Sequence, residues 1–252
     1  MKKFGVLLGG FALVCMVAAC GSSRKIKQGS EEFSIDEGAY LEAMSLQDDG
    51  MYFEAIKAWQ TVLKDEPRWA LGNFNIALIY DQLNLVPEAI EHYELAVRWS
   101  EEHNDDANAR ALYNLHLGAA YVRASLPKEA VDALKKALAT DQFNPYVHFN
   151  LSSAYIMRKD YDRALMHADS AVDLAAKPGP GGLDESVDRA ELGKFILRQA
   201  ECHLERGEWE KARTALMRAR KQCNVEATPR MWDAIKNGEA AAKAAEKEGS
   251  EG

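Results

Sequence analysis

The fold of this chain is decided by the stretch Asn114-Leu115-His116-Leu117-Gly118-Ala119-Ala120-Tyr121, which is followed by Glu129-Ala130 and Ala137-Leu138. Apolar and small residues recur in both parts at helical spacing, and charges occupy the other positions of the second part. This pattern predicts two amphipathic helices joined by a short turn. Gly118 and Ala130 are expected where the two helices cross, because a large side chain there would hold them apart.

The same pattern recurs along the chain with a fixed period. Ala55 and Ala89 are 34 residues apart, as are Ala130 and Ala164, and the remaining gaps are longer because they contain insertions. A period of this size indicates an array in which each repeat is one supersecondary unit. Small residues of the first helices are Ala43, Ala77, Gly118, Ser152 and Ala200, and those of the second helices are Ala55, Ala89, Ala130, Ala164 and Ala212.

These motifs resemble the tetratricopeptide repeat (TPR) family. The matching residues are Gly50, Tyr52, Ala55, Trp59 and Pro67 in repeat one; Asn75-Ile76-Ala77, Tyr80, Ala89, Tyr93 and Ala96 in repeat two; Asn150-Leu151-Ser152, Tyr155, Tyr161, Ala164 and Ala171 in repeat four; and Gly207, Trp209, Ala212 and Ala219 in repeat five, where His203 replaces the preferred Tyr. The resemblance implies an all-α fold, a right-handed superhelical solenoid of about five helical hairpins over residues 36–224.

Two insertions interrupt the repeats, near 100–110 and 177–192. The first is acidic, and we expect it to add a turn to each flanking helix or to form a loop. The second contains Pro178-Gly179-Pro180-Gly181-Gly182 and breaks the stack before a helix from about 185 to 206. Residues 225–252 are expected to hold a capping helix that begins at Pro229, with Met231, Trp232 and Ile235 on one side, and a charged tail.

The N-terminus is predicted to be a targeting signal. Lys2 and Lys3 precede an apolar run that ends in Val17-Ala18-Ala19-Cys20. This ending resembles the lipobox of bacterial lipoproteins, which implies that residues 1–19 are removed and that the Cys20 thiol carries a diacylglycerol. Two or three acyl chains anchor a protein stably. Residues 20–35 are expected to be the lipidated cysteine and a flexible tether that spans at most about 50 Å.

No aspartate follows Cys20, a pattern that resembles lipoproteins of the outer membrane. The expected location is therefore the outer membrane, facing the periplasm, with the inner membrane left open. The chain has 31 Lys and Arg against 39 Asp and Glu, a net charge of −8, and loss of Lys2 and Lys3 makes it more acidic. Such a body has no electrostatic reason to bind nucleic acid. We expect the thiols of Cys202 and Cys223 to stay reduced.

Motifs for chemistry are missing from the sequence. It contains no phosphate-binding loop with a following Lys, no His-Glu-x-x-His and no paired-cysteine metal spacing. The six histidines are scattered over different predicted helices. We therefore expect no catalytic residues, no metal, no cofactor and no enzyme activity.

Function is then expected on the surface of the stack. In the family that these repeats resemble, the first helix of each hairpin lines a concave groove. The equivalent positions predict a largely apolar partner-binding groove of Leu71, Phe74, Leu78, Leu112, Leu115, Val122, Tyr146, Phe149, Ile156 and Met157. Of the five positions that form the family's carboxylate clamp, only Asn75 matches, whereas Tyr40, Met44, Leu112 and His116 do not, which argues against a clamp.

Two interpretations of this apolar stripe remain open. Either the groove is open and binds an amphipathic helix or an extended apolar segment, with Phe74 and Phe149 as anchors. Or the stripe is core, packed inside the superhelix or covered by an N-terminal segment or the C-terminal helix.

The sequence favours a membrane-anchored adaptor that binds a protein of the cell envelope. Lipid-anchored TPR proteins of this size resemble the pilotins of type IV pilus secretins, which implies a role in assembling an envelope machine. One alternative is a stable scaffold subunit of an outer-membrane protein insertion, gliding-motility or polysaccharide-export complex. Another is a regulator of a periplasmic enzyme.

Overall fold

The structure is a computed structural model that describes residues 23–176 and 187–251. The predicted signal segment, Cys20 and the 177–186 part of the second insertion lie outside the described residues. The elements in chain order are β1 Ser23–Gln28, β2 Glu31–Asp36, α1 Glu37–Asp48, α2 Tyr52–Leu63, α3 Ala70–Gln82, α4 Val86–Glu102, α5 Ala107–Arg123, α6 Pro127–Thr140, α7 Pro145–Met157, α8 Tyr161–Ala176, α9 Arg189–Glu205, α10 Trp209–Cys223 and α11 Pro229–Glu251.

Helices α1 to α10 form five antiparallel hairpins that stack in chain order into a right-handed superhelical solenoid. The prediction of about five repeats is thus confirmed. The small residues at the helix crossings are buried: Ala55, Ala77, Ala89, Ala130, Ala164, Ala200 and Ala212 are fully enclosed. At Gly118 a methyl group would lie only 2.5 Å from Cγ of Leu134, so the crossing of α5 and α6 leaves no room for a side chain.

The turns inside the five hairpins share one geometry. Each contains one residue with positive φ, five positions before the small alanine of the second helix. These residues are Gly50, Asn84, Ser125, Lys159 and Gly207. The next amide in each turn donates to a carbonyl five residues back, with N–O distances between 2.8 and 2.9 Å, as from Leu85 to Tyr80. This is the Schellman arrangement, which satisfies carbonyls left free at a helix end. Three of the five positions hold a residue other than glycine.

The N-terminal hairpin is the main departure from the sequence-based expectation. Residues 23–35, expected to belong to a flexible tether, form two antiparallel strands together with Asp36, in which Ser23 pairs with Asp36 and Gln28 with Glu31. Phe33 and Ile35 are each 1% exposed and join the first core cluster with Trp59 and Trp69. The polar composition concealed a two-residue alternation of apolar side chains on β2, which is why the flexible-tether expectation is wrong for this segment.

The first insertion lengthens its neighbours. Helix α4 continues to Glu102 and α5 begins at Ala107, which leaves a short turn at 103–106. The Asp106 side chain accepts a hydrogen bond from the backbone amide of Asn108 at 2.8 Å and so caps α5. Helix α9 begins at Arg189, where Asp188 caps it by accepting a hydrogen bond from the backbone amide of Glu191 at 2.8 Å.

Helix α11 closes the other end of the solenoid. It begins at Pro229 and packs on α9 and α10, with Ile235 buried and Met231 and Trp232 half-buried in the fourth core cluster. At Gly238 a methyl group would overlap the indole of Trp209, so the two helices touch closely there. Within residues 23–176 and 187–251, no helix combines the length and apolar character needed to cross a bilayer.

Candidate partner-binding groove

The first helix of each hairpin lies on the inner side of the stack, where α7 contacts both α5 and α9. Helices α3 and α7 carry apolar residues around most of their circumference, whereas α4, α6 and α8 are apolar on one side only. A helix that is apolar all round is usually buried on all sides. Most of α3 is buried in this way, whereas α7 keeps Tyr146, Phe149 and Ile156 half-buried and Met157 exposed.

The ten predicted groove residues divide by exposure. Phe74 is 5% exposed and Met157 is 43% exposed. The other eight are half-buried: Leu71, Leu78, Leu112, Leu115, Val122, Tyr146, Phe149 and Ile156. The stripe is thus a shallow apolar wall that is open at Met157 and closed at Phe74.

Phe74 belongs to an aromatic cluster between α3, α4 and α5. Its ring centroid lies 4.7 Å from that of Tyr113, 5.7 Å from Tyr93 and 5.2 Å from His116. The interpretation of Phe74 as an exposed anchor is therefore wrong, since its neighbours in the next repeat enclose it. Sequence spacing could not show this, because it places a residue on a helix face without revealing how close the next helix lies.

Phe149 occupies a more accessible part of the wall. Its ring lies 5.0 Å from that of Phe195 on α9, and the guanidinium of Arg198 lies 5.2 Å above its centre. Arg198 also donates to Glu201 at 2.7 Å, while its Nε is enclosed without a hydrogen-bond partner among the described residues. A cation over an aromatic face holds both side chains in place. This part of the groove therefore combines an apolar surface with an ion pair between Arg198 and Glu201.

Polar groups in the groove do not form a carboxylate clamp. The amide of Asn75 donates to the carbonyl of Leu71 at 2.9 Å on its own helix, and Asn150 donates to Tyr146 in the same way. Burial lowers the pKa of His116 to about 4, so this histidine is neutral at pH 7 and supplies no positive charge. The argument against a clamp rests on these neutral groups as well as on the residue types.

The two segments proposed as covers of the groove have their main contacts elsewhere. The N-terminal hairpin packs on α1, α2 and the 103–106 turn, and α11 packs on α9 and α10. Neither the N-terminal hairpin nor α11 therefore has its main contacts with the wall residues of α7. Burial of part of the stripe comes instead from side chains of adjacent first helices, such as Phe195 beside Tyr146 and Phe149.

The cysteines and a pair of histidines are the other side chains whose surroundings bear on chemistry. In the part of the chain that the structure describes, no three His, Cys, Asp or Glu side chains converge on a position suited to a metal ion. Cys202 and Cys223 are free and buried, and burial raises the pKa of the Cys202 thiol to about 11. His148 and His167 pair through their Nδ1 atoms at 3.0 Å, inside the hairpin of α7 and α8.

Stacked helical hairpins with an apolar inner wall define the class of α-solenoid interaction proteins. A model of the tetratricopeptide repeat matches residues 40–109 and 115–179, and a second matches residues 195–223. The first model covers more than half of the chain, which therefore belongs to the tetratricopeptide repeat family. Members of this family are generally scaffolds for protein–protein interaction, and no catalytic family is indicated.

Several solved structures share this architecture at low sequence identity. MamA from Desulfovibrio magneticus superimposes with a TM-score of 0.61 and 13% identity, over 75% of this chain and 96% of that one. BtubC from P. vanneervenii has a TM-score of 0.63 and 20% identity, over 77% and 83%. YrrB, described as a TPR protein with an unusual peptide-binding site, has a TM-score of 0.55 and 17% identity, over 71% and 81%.

At these identities the likeness shows the fold alone. No curated protein matches the sequence.

Proposed function

We propose that this chain is a lipid-anchored TPR adaptor that binds an apolar segment of a client protein on the periplasmic side. Its most specific form is assistance in assembling an envelope machine such as a type IV pilus secretin. The observation that carries the binding part is the inner wall, which stays apolar and partly accessible from Leu112 to Met157. The anchoring part is supported by the lipobox-like ending at Cys20.

An apolar wall of this kind suits an amphipathic helix or an extended segment laid in the groove. YrrB has a peptide-binding site by its own description, which makes peptide binding a reasonable function for the same architecture here.

The binding proposal is tested by photo-crosslinking in living cells. A benzophenone residue placed at Met157 should capture one envelope protein, because this side chain lies at the open part of the wall. The matched control is Met166 on α8, which is 54% exposed and belongs to a second helix. Capture from both positions, or from neither, would count against a specific groove.

The nature of the captured complex separates the assembly role from its alternatives. A transient complex, together with loss of client oligomers when the protein is absent, supports an assembly factor. A stable stoichiometric complex supports a scaffold subunit of an outer-membrane protein insertion, gliding-motility or polysaccharide-export complex. Intact machines with altered activity of a periplasmic enzyme support a regulator.

The anchor is tested independently by Cys20→Ala. The variant should move from the membrane fraction to the soluble fraction while its helix content, measured by circular dichroism, stays the same. Sedimentation of the variant with membranes would remove the lipid anchor from the proposal and leave the groove untouched.

A further inference from the structure

The N-terminal hairpin is attached to the solenoid along its length. On β2, Phe33 and Ile35 are buried against α1 and α2, and the amide of Ser34 donates to the Glu66 carboxylate at 3.1 Å. At the tip, the amide and hydroxyl of Ser30 both donate to the carbonyl of His103, at 2.7 and 2.8 Å. The hairpin therefore spans from the first repeat to the turn between the second and third.

The tip fits the 103–106 turn closely. The side-chain amide of Gln28 donates to the Asp105 carboxylate at 2.5 Å, and the ring centroid of Phe33 lies 5.2 Å from that of His103. Gly29 has φ of +60°, and a methyl group there would overlap the carbonyl oxygen of His103. Because a two-stranded hairpin alone is marginally stable in water, these contacts hold it in one position. The acidic insertion between repeats two and three thus supplies the seat of the hairpin.

The start of this hairpin limits the reach of any lipid at Cys20. Strand β1 begins at Ser23, beside Asp36, which caps α1 through its bond to the amide of Ala39. Three residues of chain span at most about 10 Å, so a lipid on Cys20 would be attached no farther than that from Ser23. The expected tether of about 50 Å does not exist once residues 23–36 are docked.

We infer that the docked hairpin is a rigid connector that sets the orientation of the solenoid on a lipid surface. This inference rests on the proposed lipidation of Cys20. With the attachment point fixed at the N-terminal end of α1, the edge that carries this end is held close to the bilayer and the opposite edge is held away. The solenoid then presents its groove in one direction instead of tumbling on a long leash.

The charge of the hairpin suits this position. Arg24, Lys25 and Lys27 balance Glu31, Glu32 and Asp36, so residues 23–36 carry no net charge in a chain of net charge −8. Lys25 pairs with Glu32 at 2.6 Å across the strands. A neutral element approaches an anionic surface without the repulsion that the acidic repeats would meet.

Energy transfer to a labelled bilayer tests the orientation. The full lipidated protein is placed in vesicles of phosphatidylethanolamine and phosphatidylglycerol that contain an acceptor lipid. A donor dye is attached through a non-natural residue at Phe143 or at Lys159, which lie in the turns at the two ends of α7. These sites are separated by about 20 Å along the helix. A fixed orientation should give different transfer efficiencies at the two sites.

The decisive variant is Gly29→Ala, with Gly50→Ala as its matched control. Both glycines have positive φ, but a methyl group at Gly50 meets nothing within 4 Å. Gly29→Ala should make the two efficiencies equal, because an undocked hairpin lets the solenoid rotate, whereas Gly50→Ala should keep them different. Equal efficiencies in the unmodified protein, or a difference that survives Gly29→Ala, would overturn the inference.

Failure of the proposed anchor gives a separate result. If unmodified protein and Cys20→Ala associate equally with membranes, lipidation is absent and the connector inference falls with it. If Cys20→Ala alone is released but the two donor sites transfer equally, the anchor stands and only the fixed orientation is overturned.

Discussion

The backbone amide of Ser30 donates a hydrogen bond to the carbonyl of His103, with the nitrogen and oxygen 2.7 Å apart. The hydroxyl of Ser30 donates to the same oxygen, across 73 residues of sequence. This contact joins a segment that the sequence suggests is a tether to an insertion that the sequence predicts to extend the flanking helices or to form a loop. The insertion lengthens α4 and α5 and forms the turn between them. The N-terminal segment docks on this turn.

Phe33→Ala should destabilise the N-terminal part of the protein. Loss of a buried phenylalanine costs about 3–5 kcal/mol, although the loss cannot exceed the free energy of docking, because the hairpin can detach while the repeats stay folded. Hydrogen exchange should show lost protection of the Ser30 amide. Lys27→Ala, at an exposed position of the other strand, is the control and should change nothing. Retained protection in Phe33→Ala would contradict the docking.

Substitutions at two equivalent turn positions should change the free energy of unfolding in opposite directions. Lys159 has φ of +60° in the same turn position where Gly207 has +72°. Lys159→Gly should raise the free energy of unfolding by about 1 kcal/mol because it removes left-handed strain, and Gly207→Ala should lower it by a similar amount. Urea denaturation measures both. A stabilising Gly207→Ala would show that the turn does not require this backbone conformation.

Gly238→Ala should loosen the C-terminal cap. Alanine normally favours a helix over glycine by about 1 kcal/mol, but here the added methyl group would overlap the indole of Trp209. We expect a net loss of about 1–3 kcal/mol from overpacking. Proteolysis should then cut α11 first. Asn237→Ala, exposed on the same helix, serves as the control and should be neutral or slightly stabilising; the same result for Gly238→Ala would show that α11 packs differently.

Acidification should destabilise the solenoid through two histidines. Burial lowers the pKa of His116 to about 4, and burial together with the adjacent His148 lowers the pKa of His167 to about 4. Both have an ordinary value of 6.5, so the unfolded chain binds these protons first as the pH falls. Stability is therefore full above 6.5 and decreases towards pH 4, by about 1.4 kcal/mol per unit for each group.

The variant His116→Phe isolates one of these contributions. Phenylalanine can pack in the aromatic cluster with Phe74 and Tyr93 but binds no proton. The slope of unfolding free energy against pH between 6.5 and 4 should become shallower. An unchanged slope would mean that His116 titrates normally in the folded protein.

Phe74→Ala and Met157→Ala should separate stability from binding. Phe74 is enclosed by three aromatic rings, so its loss should cost about 3–5 kcal/mol and lower the melting temperature. Met157 is exposed, so Met157→Ala should leave melting unchanged and weaken capture of the client. A large loss of stability in Met157→Ala would show that the open end of the wall is core.

The sequence by itself determined the repeats of this protein. Helix periodicity and turn geometry are local properties, which depend on neighbours a few residues away. They can therefore be predicted from the period of the small residues, from the glycines at 50 and 207 and from Pro229. The five hairpins, the buried alanines and the start of α11 follow from them. The aromatic and apolar residues of the inner wall were also found by their spacing.

Only the tertiary structure decided which of those residues stay accessible and where the N-terminal segment lies. Phe74 and Phe149 occupy the same position in their repeats, yet Tyr113 and His116 of the next repeat enclose Phe74, while Phe195 and Arg198 cover Phe149 only in part. The hairpin at 23–36 is held by contacts to residues about seventy positions away. Such contacts depend on the way the repeats stack, and no local pattern encodes that distance.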